Sequence, residues 1–163
     1  MKKKPFFLSL LLFGALLTAC NDDPEQEVIE TEPVEFTKEG ELYIIKTAGD
    51  TIQKLDIEFA ETTFERETGL MYRKSMNQNQ GMLFLYDQEA PRAFYMKNTY
   101  IPLDIIYFGS DSTAVSFQEN AEPLDETPLP SEAPAQFILE INAGLVQEWN
   151  IEKGDKIDFA KID

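Results

Sequence analysis

The stretch Gly81–Phe108, GMLFLYDQEAPRAFYMKNTYIPLDIIYF, decides how this chain folds. It contains three strand-like segments with few charges, Met82–Tyr86, Ala93–Lys97 and Asp104–Phe108. Residues typical of turns separate them, because DQEAPR lies between the first two segments and Pro102 interrupts the chain before the third. The stretch therefore predicts three strands of a sheet, each bounded by a turn.

Strand patterns continue on both sides of this stretch. Leu42–Thr47 and Ile52–Ala60 are predicted to form a hairpin around a turn at Gly49 and Asp50. In the second of these strands apolar residues alternate with charged ones, which is typical of an antiparallel strand with one face toward water. Further strands are expected downstream at 113–118, 136–142 and 156–160, and a second short helix is expected at 143–150.

A first helix is expected between the hairpin and Gly81. Thr62 and Glu65 have the spacing of a capping box, in which two backbone donors are satisfied reciprocally. Phe64 and Met71, seven residues apart, are expected on one face of this helix. Gly69 is expected to end it or to let it approach the sheet closely. These patterns predict one domain of mixed β structure with short helices.

Composition excludes several classes of function. The formal net charge of −16 predicts a surface that repels phosphate backbones, so nucleic acid is not expected as a partner. The chain has no His, and Cys20 is its single Cys, which excludes a Ser-His or Cys-His nucleophile and a zinc site built on His or Cys ligands. No cofactor is expected, and no disulfide can form within the chain.

The N-terminus predicts a lipid anchor. Residues 1–19 have a basic start and a short apolar core, which is typical of a secretory signal peptide, and LTAC at 17–20 resembles a bacterial lipobox. We expect lipidated Cys20 and an acidic flexible tether over 20–40, followed by a single domain over 41–163. The protein would then lie in the bacterial cell envelope, at an outer-membrane, periplasmic or surface face, with the membrane as its partner through Cys20. The alternative is an uncleaved anchor with a free Cys.

A polar cluster within the deciding stretch is the candidate binding site. Its residues could converge in a pocket with two more distant groups, and the candidates are Arg66, Lys97, Asn98, Thr99, Asp104 and Glu140. The structural alternative is that Asn98 and Thr99 only form a turn while Asp104 pairs with Lys97 or caps a loop. Residues 119–135, with four prolines and no periodicity, form either a lid or a solvated loop.

Three functions remain open from the residues alone. The first is a non-catalytic domain that binds an unknown small ligand, peptide or envelope protein. The second is a hydrolase-like enzyme that uses Asp104, Glu140 and Lys97, either with the two carboxylates as a pair or with Lys97 as a base that acts on Thr99 or Ser131. The third is binding of a soft metal such as Cu(I), since all methionines after Met1 fall between 71 and 96. Methionine also fills gaps in cores, so the third depends on the sulfur atoms converging.

Six segments of the chain share their order and spacing with a known family. They are RETGLMYRKSM (66–76), GMLFLY (81–86), AFYMKNTYIPLDIIYF (93–108), PS (130–131), FILEINAG (137–144) and GDKIDF (154–159). In these segments the chain resembles DUF192, "domain of unknown function 192". One departure is Tyr95, where the family tends to have Trp, so an aromatic ring remains but the indole donor is lost.

The resemblance implies a fold and no activity, cofactor or ligand. The implied fold class is α+β, mainly β, with a curled or barrel-like mixed sheet and one or two short helices packed on it. The positions that match the family's motifs are Arg66, Gly69, Met71, Gly81, Met82, Met96, Lys97, Asn98, Thr99, Pro102, Asp104, Glu140, Gly144, Gly154 and Asp155.

Overall fold

A computed structural model describes residues 34–162, so the predicted signal peptide, Cys20 and most of the predicted tether lie outside the described residues. The strands are β1 (Gly40–Ile45), β2 (Thr51–Ala60), β3 (Gln80–Ala90), β4 (Ala93–Phe94), β5 (Leu103–Phe108), β6 (Ala114–Ala121), β7 (Leu129–Pro130), β8 (Ala135–Asn142) and β9 (Lys156–Lys161). The helices are α1 (Thr63–Thr68) and α2 (Leu145–Glu148). Neither is long and apolar enough to cross a bilayer, and no other helix occurs in this range.

Seven strands form one mixed sheet in the order β6-β5-β8-β3-β2-β1-β9. All neighbours are antiparallel except β2 and β3, which are parallel. The two edges approach each other through an isolated bridge between Thr113 and Lys156, and Ile157 N donates to Ser112 O at 3.0 Å. The sheet is therefore strongly curled but not closed by a continuous ladder. The predicted mainly-β class with a curled mixed sheet and two short helices is confirmed.

Both faces of the central strands are buried. Along β8, Leu139 and Ile141 contribute to one hydrophobic cluster, on the side that we call face 1. Ile138 contributes to a second cluster on the opposite side, face 2, to which Glu140 also points because side chains alternate along a strand. All six residues of β5 are buried for the same reason. The sheet thus separates two apolar layers.

The parallel pairing of β2 and β3 requires a crossover, and residues 61–79 provide it. At its start Thr62 Oγ1 accepts from Glu65 N at 3.2 Å, and Glu65 Oε2 accepts from Thr62 N at 2.8 Å, so the predicted capping box is confirmed. Gly69 ends α1 with a φ of 48°, also as predicted. The prediction that Phe64 and Met71 share a helix face was wrong: α1 has only 6 residues, and Phe64 is 75% exposed.

Two connections differ from the sequence prediction. β4 stops at Phe94 rather than at Lys97, because Met96 N donates to Asp125 O at 2.7 Å and Asn98 adopts a left-handed turn with φ 56°. Residues 119–135 are not an unstructured loop, since β7 pairs with β4 and Leu124 N donates to Thr99 O at 3.1 Å. This segment is therefore fixed against the turn at Thr99.

Candidate functional site

A cavity of about 320 Å³ opens on face 2, between α1, β3 and the segment 93–99. Its volume lies at the lower end of the range of small-molecule pockets, about 300–1,000 Å³. Its lining residues are Thr63, Arg66, Glu67, Thr68, Gly69, Leu70, Met71, Phe84, Tyr86, Ala93, Phe94, Tyr95, Thr99 and Glu140. Gly69 brings backbone close to this space: a Cβ there would lie 3.0 Å from the Phe84 ring and 3.8 Å from Glu140 Oε2.

Glu140 is the buried acid of the cavity. It lies on the central strand β8, where its sheet neighbours are Met82 on β3 and Ile105 on β5. No group within residues 34–162 donates a hydrogen bond to its carboxylate, and no cation lies within ion-pair distance of it. Burial raises the pKa of Glu140 to about 8, because an apolar environment disfavours the charged form. At neutral pH most molecules therefore hold a protonated Glu140, which can donate or accept a hydrogen bond.

Aromatic side chains form the wall around this acid. The Phe84 and Phe94 rings meet edge to face, with centroids 4.9 Å apart, and Phe94 meets Tyr107 in the same way at 6.1 Å. Tyr107 is fixed in turn because its hydroxyl donates to Leu129 O at 2.7 Å. Burial raises the pKa of Tyr86 and of Tyr107, so both phenols stay neutral near physiological pH. The wall is apolar and held in place by neighbouring strands.

Arg66 places a cation on the wall of the same cavity. Its guanidinium carbon lies 4.9 Å from the centroid of the Tyr86 ring, within the range of cation–π contact. Nη1 donates to Leu85 O at 3.0 Å and to Glu61 O. Within residues 34–162, no carboxylate lies within 4.0 Å of its guanidinium nitrogens. Backbone carbonyls and an aromatic ring therefore position this charge without neutralising it.

Thr99 and Asn98 belong to the turn that forms one side of the cavity. Thr99 lines the cavity, and its hydroxyl makes a long contact of 3.4 Å to Lys97 O. Asn98 contacts the end of the crossover instead: its Nδ2 donates to the Tyr72 hydroxyl at 3.0 Å, and its O accepts from Tyr72 N at 2.8 Å. Asn98 thus holds the crossover against the turn, a contact that the sequence did not predict.

Lys97 and Asp104 lie apart from the cavity and from each other. Lys97 is exposed, does not line the cavity, and forms no ion pair with any residue that the structure describes. Asp104 is fully buried and accepts from Asn120 N at 2.8 Å and Val146 N at 2.9 Å. The expected Lys97–Asp104 pair is therefore not formed, and Asp104 instead caps backbone groups at β6 and α2.

Asp104 and Glu140 cannot work as a carboxylate pair. In the β5–β8 ladder, Ile105 is the partner of Glu140 and Asp104 is the partner of Ile141. Because paired residues project to the same side of a sheet, Asp104 points to face 1 and Glu140 to face 2. Of the predicted site residues, the structure brings together Arg66, Thr99 and Glu140, with Asn98 behind them.

Sequence reasoning missed a buried ion pair on face 2. Arg73 Nη2 lies 2.6 Å from Glu58 Oε2, and both side chains are almost fully buried. The contact is an ion pair rather than an aligned hydrogen bond, since neither Glu58 Oε2 nor Arg73 Nε has a hydrogen-bond partner among the described residues. The signal was concealed because Glu58 continues the charged alternation of β2 that predicted a wet face.

The methionines also gather on face 2. Met82 and Met96 belong to its hydrophobic cluster, Met76 packs against it, and Met71 lines the cavity. This arrangement is typical of methionine that fills gaps in a core. Among residues 34–162, no group of three His, Cys, Asp or Glu side chains is placed to hold a metal ion.

Comparison with known proteins places this geometry in a family. The family model of DUF192, described as "Uncharacterized ACR", matches residues 44–159. A protein of unknown function from Novosphingobium aromaticivorans DSM 12444 is similar in structure, with 39% identity and a TM-score of 0.69 over 72% of this chain and 83% of that one. A protein from Sinorhizobium meliloti 1021, proposed to be a transcription regulator, is 36% identical, with a TM-score of 0.72 over 77% of this chain and 97% of that one.

No curated protein matches this chain. The family match spans most of the domain and includes the segments from α1 to β8 that form the cavity. It also agrees with the resemblance drawn from the six sequence segments. The chain therefore belongs to the DUF192 family.

Proposed function

We propose that this domain binds a small, largely apolar molecule in the face 2 cavity and recognises one polar group of it through Glu140. The observation that carries this proposal is a buried carboxyl without a hydrogen-bond partner among the described residues, directed at an aromatic-walled space of about 320 Å³. Because no described residue pairs with this carboxyl, a polar group of a ligand can form a hydrogen bond with it.

Binding is favoured over hydrolysis by the positions of the candidate catalytic groups. Asp104 points to the opposite face, Lys97 lies outside the cavity, and the Thr99 hydroxyl contacts a backbone carbonyl rather than Glu140. Acid/base catalysis needs groups within hydrogen-bond reach of one another or of the substrate. The hydrolase alternative built on Asp104, Glu140 and Lys97 is therefore not supported by this geometry.

The setting of this activity is also a proposal. The leader pattern and lipobox support a lipid-anchored protein of the bacterial envelope, held on the membrane through Cys20. In that setting the domain would bind a small molecule close to a membrane surface. The net charge of −16 disfavours the DNA contact that a role in transcription regulation would require.

The test uses a side chain that fills the cavity. Ala93 lines the cavity and is exposed, so Ala93→Phe should occupy part of the space without disturbing the core. Ala160→Phe is the matched control, because Ala160 is an exposed strand alanine that does not line the cavity. A library of small aromatic amines, amides and acids is screened by ligand-observed NMR against the wild-type chain and both variants.

We expect aromatic fragments that carry a hydrogen-bonding group to bind wild type and Ala160→Phe alike. Ala93→Phe should weaken them by about tenfold or more, equivalent to ~1.4 kcal/mol. Thermal unfolding of the three proteins checks that each remains folded. Equal binding to all three proteins, or binding to none of them, would contradict the proposal.

A further inference from the structure

A cation and a buried, largely protonated acid line the cavity without pairing with each other. Arg66 and Glu140 are both lining residues, yet they form no ion pair together or with any other residue in the described range 34–162. The remaining ion pairs of that range lie at other places, such as Glu58 with Arg73 and Lys46 with Asp155. The cavity therefore offers the Arg66 cation and the buried Glu140 acid to whatever occupies it, with aromatic rings as its walls, while Glu67 lines it as an exposed acid.

We propose that the ligand is a zwitterion that carries an ammonium group and a carboxylate on an aromatic or apolar body, such as a free amino acid or a dipeptide. This inference rests on the proposed function and names the class of its ligand. The ammonium group would contact Glu140, and the carboxylate would contact Arg66. The apolar body would pack against Phe84, Phe94 and Tyr95.

The chemistry of Arg66 fits the acidic end of such a ligand. A guanidinium presents donors in a planar fork that matches a carboxylate, and only Nη1 of Arg66 donates hydrogen bonds within the described residues. The contact with Tyr86 fixes the orientation of the fork. A ligand carboxylate can therefore be held without moving Arg66 from its backbone partners.

The basic end of the ligand would change the protonation of Glu140. A nearby ammonium group favours the charged carboxylate, so binding at a pH below about 8 should release a proton. The other titratable or charged groups that line this space are Arg66 and Glu67 from the helical side, Tyr86 from β3 and Tyr95 from the turn segment. Behind the lining, Arg92 lies 3.7 Å from the centroid of the Tyr86 ring, and Tyr107 of β5 packs against Phe94. A ligand that presented only a neutral hydrogen-bond acceptor to Glu140 would release no proton on binding.

The experiment is isothermal titration calorimetry of the full chain at pH 6.5 with four probes. Phenylalanine and phenylalanyl-phenylalanine are the zwitterions and distinguish an amino acid from a dipeptide. N-acetyl-phenylalanine lacks the ammonium group, and 2-phenylethylamine lacks the carboxylate. Each titration is repeated in two buffers with different enthalpies of ionisation, which measures the number of protons released.

At least one zwitterion should bind about tenfold more tightly than both single-charge probes, which corresponds to ~1.4 kcal/mol for the missing charge. Its binding should release close to one proton, and Glu140→Gln should abolish the release. Arg66→Lys should weaken the zwitterion while leaving 2-phenylethylamine unchanged. Because Arg66 also contacts the backbone, thermal unfolding of this variant checks that it remains folded.

The failure of this inference differs from the failure of the proposed function. If 2-phenylethylamine or N-acetyl-phenylalanine binds as tightly as the zwitterions and Ala93→Phe abolishes that binding, the zwitterion is excluded while the cavity remains a binding site. Zwitterion binding without proton release would also exclude contact between the ammonium group and Glu140. If no probe and no fragment of the NMR library binds the wild-type chain, the proposed function itself is wrong.

Discussion

Glu58 and Glu140 lie in one row across face 2, and only Met82 separates them. Met82 is the ladder partner of Glu58 on one side and of Glu140 on the other. The two glutamates are almost equally buried, with 7% and 6% of their surface exposed. Glu58 faces Arg73 at 2.6 Å and accepts from Thr37 N at 2.9 Å, whereas Glu140 has neither kind of partner within residues 34–162.

Glu58, a structural acid, and Glu140, a candidate binding acid, thus differ in their ion-pair and hydrogen-bond partners and not in their burial. A buried charge must be paired if it is to stay charged, and the Glu58–Arg73 pair meets that requirement inside the molecule. Glu140 instead avoids carrying a buried charge by holding a proton, since burial raises its pKa. An acid that is neutral and faces an open cavity keeps its hydrogen bonds available for a ligand.

The largest effect is expected when the paired glutamate is changed. Glu58→Gln should lower the free energy of unfolding by about 3–5 kcal/mol, because it leaves the Arg73 guanidinium buried without a countercharge. Urea unfolding at pH 7 measures this loss. Adding Arg73→Met to the same chain should recover much of it, because the unpaired charge is removed. A loss below about 1 kcal/mol in the single variant would show that Arg73 is solvated in some other way.

The unpaired glutamate should appear in the pH dependence of stability. Its pKa rises from an ordinary 4.5 to about 8 in the folded state, so the folded protein binds this proton more tightly than the unfolded chain does. The stabilising contribution is therefore complete below pH 4.5 and is lost as the pH rises toward about 8. Within that window the slope from this group is about −1.4 kcal/mol per pH unit.

The difference in unfolding free energy between wild type and Glu140→Gln isolates this slope from other groups. The variant should lack it, so the two curves should diverge as the pH rises and level off above pH 8 or so. Urea unfolding at half-unit pH steps provides the data. Parallel curves between pH 5 and pH 8 would mean that Glu140 is solvated in the folded state and titrates near its ordinary value.

The smallest effect is expected at Lys97. Lys97→Ala should change the free energy of unfolding by no more than about 0.5 kcal/mol, as is usual for an exposed side chain without a specific contact. It should also leave fragment binding unchanged, because Lys97 does not line the cavity. Ligand-observed NMR on this variant, beside Glu140→Gln, compares the two candidate site residues directly. A marked loss of binding in Lys97→Ala would indicate that the ligand binds at the turn that contains Lys97 rather than in the cavity.

Local signals in the sequence were sufficient for much of the fold. The capping box at Thr62, the helix end at Gly69 and the buried strand up to Phe108 follow from residue type and spacing, so they were predictable. The length of β4 was not, because its end depends on the hydrogen bond from Met96 N to Asp125 O, between residues far apart in sequence. Local patterns cannot show which backbone groups find distant partners.

The candidate site was predictable only in part for the same reason. Alternation along the strand 136–142 predicts that Glu140 faces away from Leu139 and Ile141, but its separation from Asp104 depends on the register of the β5–β8 ladder. Glu58 was assigned to a wet face because it continues the alternation of Lys54 and Asp56. The crossover buries Glu58 with Arg73 and covers only the C-terminal end of β2. The alternation of residues within β2 cannot predict that cover.

Gly69 makes the outline of the cavity and the end of a helix a single property of the chain. A substituent at this position would have to displace the Phe84 ring 3.0 Å away, and any residue with a Cβ would also be strained by the positive φ of 48°. Substitution of this residue would therefore both reduce the volume of the cavity and destabilise the fold. Selection for a stable domain alone would therefore preserve the cavity, even in a relative that had lost its ligand.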